Sequence, residues 1–187
     1  LDHPGEFFFD RKAGKLYLYY NGTGAPPASA EVVSTAKQVL INASGTQWSP
    51  VRNVSLADLT FTASAYTYME AHGVPSAGDW ALERFAAVYL QGTEHASIER
   101  CNFTRLDGNG VMLSGYTRHA NVADSDFSFV GGNAIASWGF TNETARDPAR
   151  PGIVLTGYPA AGVDGTDGEH PRYTTVTGCS AREIGLY

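Results

Sequence analysis

The side chains best placed for acid–base chemistry are Asp107, Asp124 and Asp126, with Glu99 and Glu183 nearby in the same repeated frame. Two carboxyl groups can cleave an acetal together. One protonates the leaving oxygen while the other attacks the carbon, at a separation of ~5 Å, or activates water, at ~6.5 to 9.5 Å. Neighbouring β-strands lie ~4.8 Å apart, so acids one or two strands apart reach either spacing. Asp107 and Asp126 are therefore candidate catalytic acids, with Asp79 a third. A single acid is ordinarily a solvated surface charge. Asp107 also opens a turn that its own carboxylate can cap. Asp79 sits in "SAGDWALERF", where Ser76 or Asp79 can cap a short helix. The alternative places Asp79 and Trp80 at the lip of a cleft, with the indole stacked on a sugar ring. Trp138, Tyr116 and His119 are further candidates for the same end, although a lone corner histidine is more often idle.

What must position these groups is a repeat. "SIERCNFTRLDGNGVMLSG" from Ser97 is followed by "HANVADSDFSFVGGNAIASWG" from His119 at a constant offset of 24 residues. Ile98 falls on Val122, Cys101 on Ser125, Phe103 on Phe127, Leu106 on Val130, Asn109 on Asn133, Val111 on Ile135 and Gly115 on Gly139. Keeping apolar or small residues in fixed columns is what a solenoid needs, since each coil buries its inward side chains on the next. Alternation inside a copy is strand-like. Leu56, Leu59 and Phe61 extend the columns, as do Val88, Leu90 and Gly92, and Val176, Cys179, Ala181 and Ile184. "VLINASGT" from Val39 is a possible earlier coil. Two Gly-, Pro-, Asp- and Thr-rich excursions, about Thr62 to Ala86 and Phe140 to Arg172, account for the unequal intervals. Insertions gathered on one face often build a binding surface.

No helical period is sustained and no Leu-x-x-Leu-x-Leu signature is present. The columns predict an all-β, right-handed parallel β-helix solenoid of about four to five coils, preceded by a β-hairpin and interrupted by the two long insertions. Asn109 and Asn133, in "DGNGV" and "GGNAI", are either ordinary turn residues or a ladder bonded along the axis. "GEFFFDRKAGKLYLYY" alternates around "RKAG" and predicts a hairpin from about Glu6 to Tyr20 with Gly14 in the turn. Packing of its aromatics on the coil is favoured over sugar stacking. With "GAPPASA" as linker, the expected division is 1–30 for hairpin and linker, then 31–187 for a β-helix incomplete at its C-terminus.

The chain resembles the right-handed parallel β-helix proteins of the pectin-lyase-like superfamily. The motifs that carry this are "LDHPGEFFFDRKAGKLYLYY", "PVRNVSLADLTF", "VPSAGDWALERFAAVYLQGT", "CNFTRLDGNGVMLSGY" and "AIASWGFT". The resemblance spans nearly the whole chain, and many members are uncharacterised. Characterised relatives are carbohydrate-active enzymes, among them glycoside hydrolases, which commonly work on an outward strand face with carboxylates from neighbouring coils. The resemblance bears on fold more than on activity, since one fold hosts many functions.

Composition narrows the function. The 187 residues are 17% charged with net charge −6 and contain no basic stripe with interleaved aromatics, which argues against a nucleic-acid partner. No apolar run reaches the ~18 residues of a membrane span. Sequons at Asn21, Asn42, Asn53, Asn102 and Asn142 point to a secreted or cell-surface glycoprotein, against the alternative of chance in a chain rich in Ser, Thr and Asn. Asn102 lies inside a strand and should point outward, where a glycan would block that face. Cys101 and Cys179 share a column two coils apart, ~9.6 Å at strand spacing. That exceeds disulfide reach, so two buried free thiols are expected. Asp164, Asp167, Glu169 and His170 resemble a loose calcium loop but lack EF-hand spacing, so no metal and no cofactor are expected. Both ends look cut, which predicts flanking parts of a longer chain.

Three functions fit. The first is a secreted glycoside hydrolase-like enzyme acting on an extracellular polysaccharide through Asp107, Asp126 and Asp79. The second is a non-catalytic structural or adhesion module of a fibre, wall or surface glycoprotein. The third is a carbohydrate-binding module that uses aromatics alone. The resemblance favours the first. The Asn102 sequon and the lack of a carboxylate ladder favour the second.

Overall fold

In a computed structural model, residues 1–67, 83–139 and 168–185 are described. They fold as β-structure without an α-helix, in two compact units, Leu1–Val33 and Ser34–Tyr187.

The first unit is a hairpin of β1 (Phe7–Asp10) and β2 (Lys15–Leu18), antiparallel with Phe8 opposite Tyr17. Asp10 closes the turn by accepting bonds from the backbone N–H groups of Lys12 and Ala13 through Oδ1. Gly14 supplies the left-handed position, at φ +63°. The aromatic side chains stand exposed, Phe7 at 70% and Phe8 at 58%.

The described residues of the second unit form a parallel β-helix of four coils. The first coil holds β3 (Ile41–Ser44), β4 (Val51–Arg52), β5 (Ser55–Ala57) and β6 (Thr60–Thr62). The second holds β7 (Ala86–Glu94), β8 (Ser97–Glu99) and β9 (Asn102–Leu106). The third holds β10 (Asn109–Arg118), β11 (Asn121–Ala123) and β12 (Asp126–Val130). The fourth holds β13 (Ile135–Trp138), β14 (Pro171–Arg172), β15 (Thr175–Thr177) and β16 (Ser180–Ile184). Three parallel sheets result. The first face has the order β13-β10-β7-β3, with β14 and β4 beside the far ends of β10 and β7. The second has β15-β11-β8-β5 and the third β16-β12-β9-β6.

The 24-residue offset is the register of this stack. Val122 pairs with Ile98, Phe127 with Phe103, Val130 with Leu106 and Ile135 with Val111. "VLINASGT" does supply the first coil, with Ile41 on Val88. Inward columns make the core, where Phe61, Phe103 and Phe127 stack at centroid separations of 4.7 and 4.6 Å. Asn109 is fully buried and forms the ladder. Its Oδ1 accepts from the Asn133 backbone and side-chain N–H groups, both at 2.9 Å, and its Nδ2 donates to the carbonyls of Glu83 and Phe85. Both thiols are free. Cys101 is buried, but Cys179 is only half-buried, in a last coil where Val176 and Ile184 are also exposed.

The coils turn at left-handed residues five positions apart. Asn53, Asp58 and Ala63 do this in the first coil, His95, Arg100 and Arg105 in the second, His119, Asp124 and Phe129 in the third, and Tyr173, Gly178 and Glu183 in the last. A non-glycine residue costs roughly 1 kcal/mol in that conformation. Inter-coil hydrogen bonds hold it there. The N–H groups of Asn53, His95 and His119 donate to the carbonyls of Glu94, Arg118 and Arg172.

Candidate functional site

β7 and β10 are the long strands, and both bend at a left-handed glycine, Gly92 (φ +58°) and Gly115 (φ +51°). Gly92 presses so closely on Gly45 of the previous coil that a Cβ there would overlap the Gly45 carbonyl. Past the bend the register slips. Ser114 pairs with Gln91 but Thr117 pairs with Thr93, which leaves Tyr116 as the extra residue of a bulge. Gly92 and Gly115 fill the same role, as their column predicts, but the one-residue offset beyond them is not visible in the letters. Bulges re-aim a side chain, and here the side chain is a phenol.

Tyr116 donates its hydroxyl to Oε1 of Glu94 at 2.6 Å, while Arg52 Nε donates to Glu94 Oε2 at 2.7 Å. The guanidinium of Arg118 lies 4.2 Å from the Tyr116 ring centroid, a cation–π contact. Arg118 in turn donates to the carbonyls of Thr117, Gly168 and His170, which ties down the segment 168–170. Arg52, Glu94, Arg118 and Arg172 form one column across four coils. The corner column beside it is Asn53, His95, His119 and Tyr173, in which the last three rings stack at 4.9 Å steps. The Tyr116 hydroxyl, then Arg52, holds the Glu94 carboxyl below the usual range, so it is a ready anion. The same bond raises the Tyr116 phenol.

On the other side of the bend, Arg84 is buried against the outer surface of the first face and donates to Ser114 Oγ and to the carbonyls of Trp138 and Gly139. Tyr89 donates to Gln91 Oε1 or Ser114 Oγ, at 2.7 and 2.9 Å, and burial raises its phenol. Thr67 bonds Asp107, Glu83 bonds Asn109, Gly139 bonds Arg84, and Gly168 bonds Arg118.

The acids read from the sequence lie elsewhere. Oδ1 of Asp107 accepts from the Thr67 N–H and hydroxyl, at 3.1 Å each, as a turn cap does. Asp126 is exposed on the third face beside Asn102, and Ser180 donates to it. Asp107 follows the far end of β9, beyond the corner at Arg105, whereas Asp126 pairs with Asn102 at its start. The structure does not bring Asp107 and Asp126 together. Asp79 and Trp80 fall outside the described residues. Tyr116 and His119 do lie on neighbouring columns, and half-buried Trp138 pairs with Ser114 on the first face. Sequon residues Asn21, Asn42, Asn53 and Asn102 are exposed, while Asn142 is outside the described residues. No group of three or more metal-ligating side chains occurs among the described residues. No helix among them is long and apolar enough to cross a membrane.

Glu94, Arg52, Arg118 and Arg172 escaped the sequence reading. Their signal is a charged residue directly before each ring-bearing or Asn corner, in "RN", "EH", "RH" and "RY" at 52, 94, 118 and 172.

No family model and no curated protein matches the sequence. A solved structure described as "Glycoside hydrolase" is similar, with a TM-score of 0.72 and 22% identity over 99% of this chain and 34% of that one. At such identity the likeness shows the fold, a parallel β-helix. The chain spans about a third of the length of that protein.

Proposed function

We propose that this chain is part of a secreted, glycoside hydrolase-like β-helix protein that handles an extracellular polysaccharide at the bend of its first face. The observation that carries the reading is Glu94, an anionic carboxylate fixed by a phenol and a guanidinium on an outward face. In an acetal cleavage it would attack or activate water, while Asp79 and Glu169 are the acids to test as proton donor. Exposed sequon asparagines are compatible with secretion, and the similarity to a glycoside hydrolase supports the class.

The test is hydrolysis of a polysaccharide panel by the intact protein and by Glu94→Gln. Removing a general base or nucleophile should lower the rate by at least ~100-fold, with Asp126→Asn unchanged. Full activity in Glu94→Gln would remove Glu94 from the site. A second reading, a non-catalytic structural module, is favoured by one pattern. Asp58, Asp107, Asp126 and Glu94 each already hold a local partner, as scaffold acids do. A wild-type protein that neither cleaves nor binds any member of the panel would decide for that reading.

A further inference from the structure

We infer that the hairpin of the first unit carries a self-association surface, through which two copies of this chain pack the apolar sides of their hairpins together. Directly opposed residues of a hairpin share a face, so the register puts Phe7, Leu18, Phe9 and Leu16 on one side of the ribbon. Phe8, Tyr17, Asp10 and Lys15 lie on the other. That second side is amphipathic, with Phe8 and Tyr17 stacked at 6.4 Å. The first side is hydrocarbon alone, and its side chains stand 45% to 70% exposed. A two-stranded ribbon is marginal in water until a second layer covers its apolar side.

A second copy is the occupant that chemistry and area select. No side chain on the apolar side has a polar atom, so a polar partner would give up hydrogen bonds to water without replacement. At about half exposure, these large side chains present about 400 Å² per copy, the size of the largest apolar patch on a typical monomer. Two such patches bury about 800 Å² before any rim is counted, against about 1,000 Å² for a specific interface. Backbone and flanking side chains supply the remainder, which places the dimer at the weak end of the range. A two-fold axis across the strands also separates the charged turns. Arg11, Lys12 and Lys15 of one copy then lie at the opposite end from those of the other. A lipid surface fits less well. These cations gather at the turn rather than around the apolar side, and the chain carries net charge −6, which an anionic bilayer repels.

The experiment is sedimentation velocity on the full chain from about 1 μM to about 200 μM, at low and high salt. A dimer that grows with concentration and does not weaken with salt is expected, because its contacts are apolar. Leu16→Thr and Phe9→Thr keep strand-forming residues in the ribbon, and each should weaken association at least about tenfold. Phe8→Thr, on the other side, and Ile184→Thr, on the exposed last coil, should leave it unchanged. A second measurement needs no variant. In dimers mixed from labelled and unlabelled copies, intermolecular NOEs should connect Phe7, Phe9, Leu16 and Leu18. A monomer throughout the range, or a dimer without these NOEs, overturns the surface. So does a dimer that persists in both Leu16→Thr and Phe9→Thr, or one that dissociates in Ile184→Thr. Capture of a monomer by phosphatidylcholine–phosphatidylglycerol vesicles, lost in Leu16→Thr, would assign the same side to lipid and overturn the second copy.

Discussion

Glu94 keeps its charge because two donors of different kinds reach its two oxygens, and their removal should be separable. A carboxyl with a depressed pKa adds stability that is complete above the ordinary carboxyl range. That stability is lost as pH falls through the depressed value. The first cause here is the Tyr116 hydroxyl. Tyr116→Phe therefore should raise the Glu94 pKa and move its acid limb to higher pH. An NMR titration of the glutamate carboxyl signals reads this directly, without needing a substrate. An unmoved titration would mean that Arg52 alone sets the charge. The exposed pair of Asp58 with Arg100 lowers its acid in the same way, at a corner remote from the bend. A depressed acid is therefore not by itself a mark of function.

At the level of elements, the molecule depends on columns rather than on single strands. β8, β11 and β15 are three residues each, too short to stand alone, and gain their order from the strands above and below. Phe103 is fully buried between Phe61 and Phe127. Phe103→Ala should cost about 3 to 5 kcal/mol, measured by urea unfolding, because neighbours fixed by inter-coil bonds close the cavity poorly. A loss under ~1 kcal/mol would show that the coils relax inward. The bends at Gly92 and Gly115 belong to the same scale. A two-glycine contact between Gly45 and Gly92 permits the bend, and the bulge at Tyr116 uses it to present the phenol.

Across the whole molecule, two cysteines occupy one column with a coil between them. Cys101 is buried and donates weakly to the carbonyls of Leu56 and Glu99, whereas Cys179 is half-buried in the last coil. In the folded protein a thiol reagent should therefore label Cys179 first. Cys101 should react only on unfolding, and mass spectrometry should find no loss of two hydrogens before reduction. A native Cys101–Cys179 disulfide would contradict the stack itself, since two coil rises lie beyond its reach.

The coil order, its register and its interior were legible in the letters, because a repeat at fixed offset with apolar columns admits few other foldings. Phe103 over Phe127 and Asn109 beside Asn133 could be read before any coordinate. The site was not, and the reason is physical. Outward residues are free to vary, so Arg52, Glu94, Arg118 and Arg172 share a column without sharing a type. A bulge of one residue shifts everything beyond it relative to a letter-by-letter alignment. Asp107 and Asp126 were candidates because they sit on neighbouring coils, but they occupy different positions along those coils. The corner at Arg105 and the length of β9 put them on different parts of the surface. Sequence alone determined which side chains must be buried together. Only the tertiary structure decided which exposed ones meet, because that depends on where each coil bends.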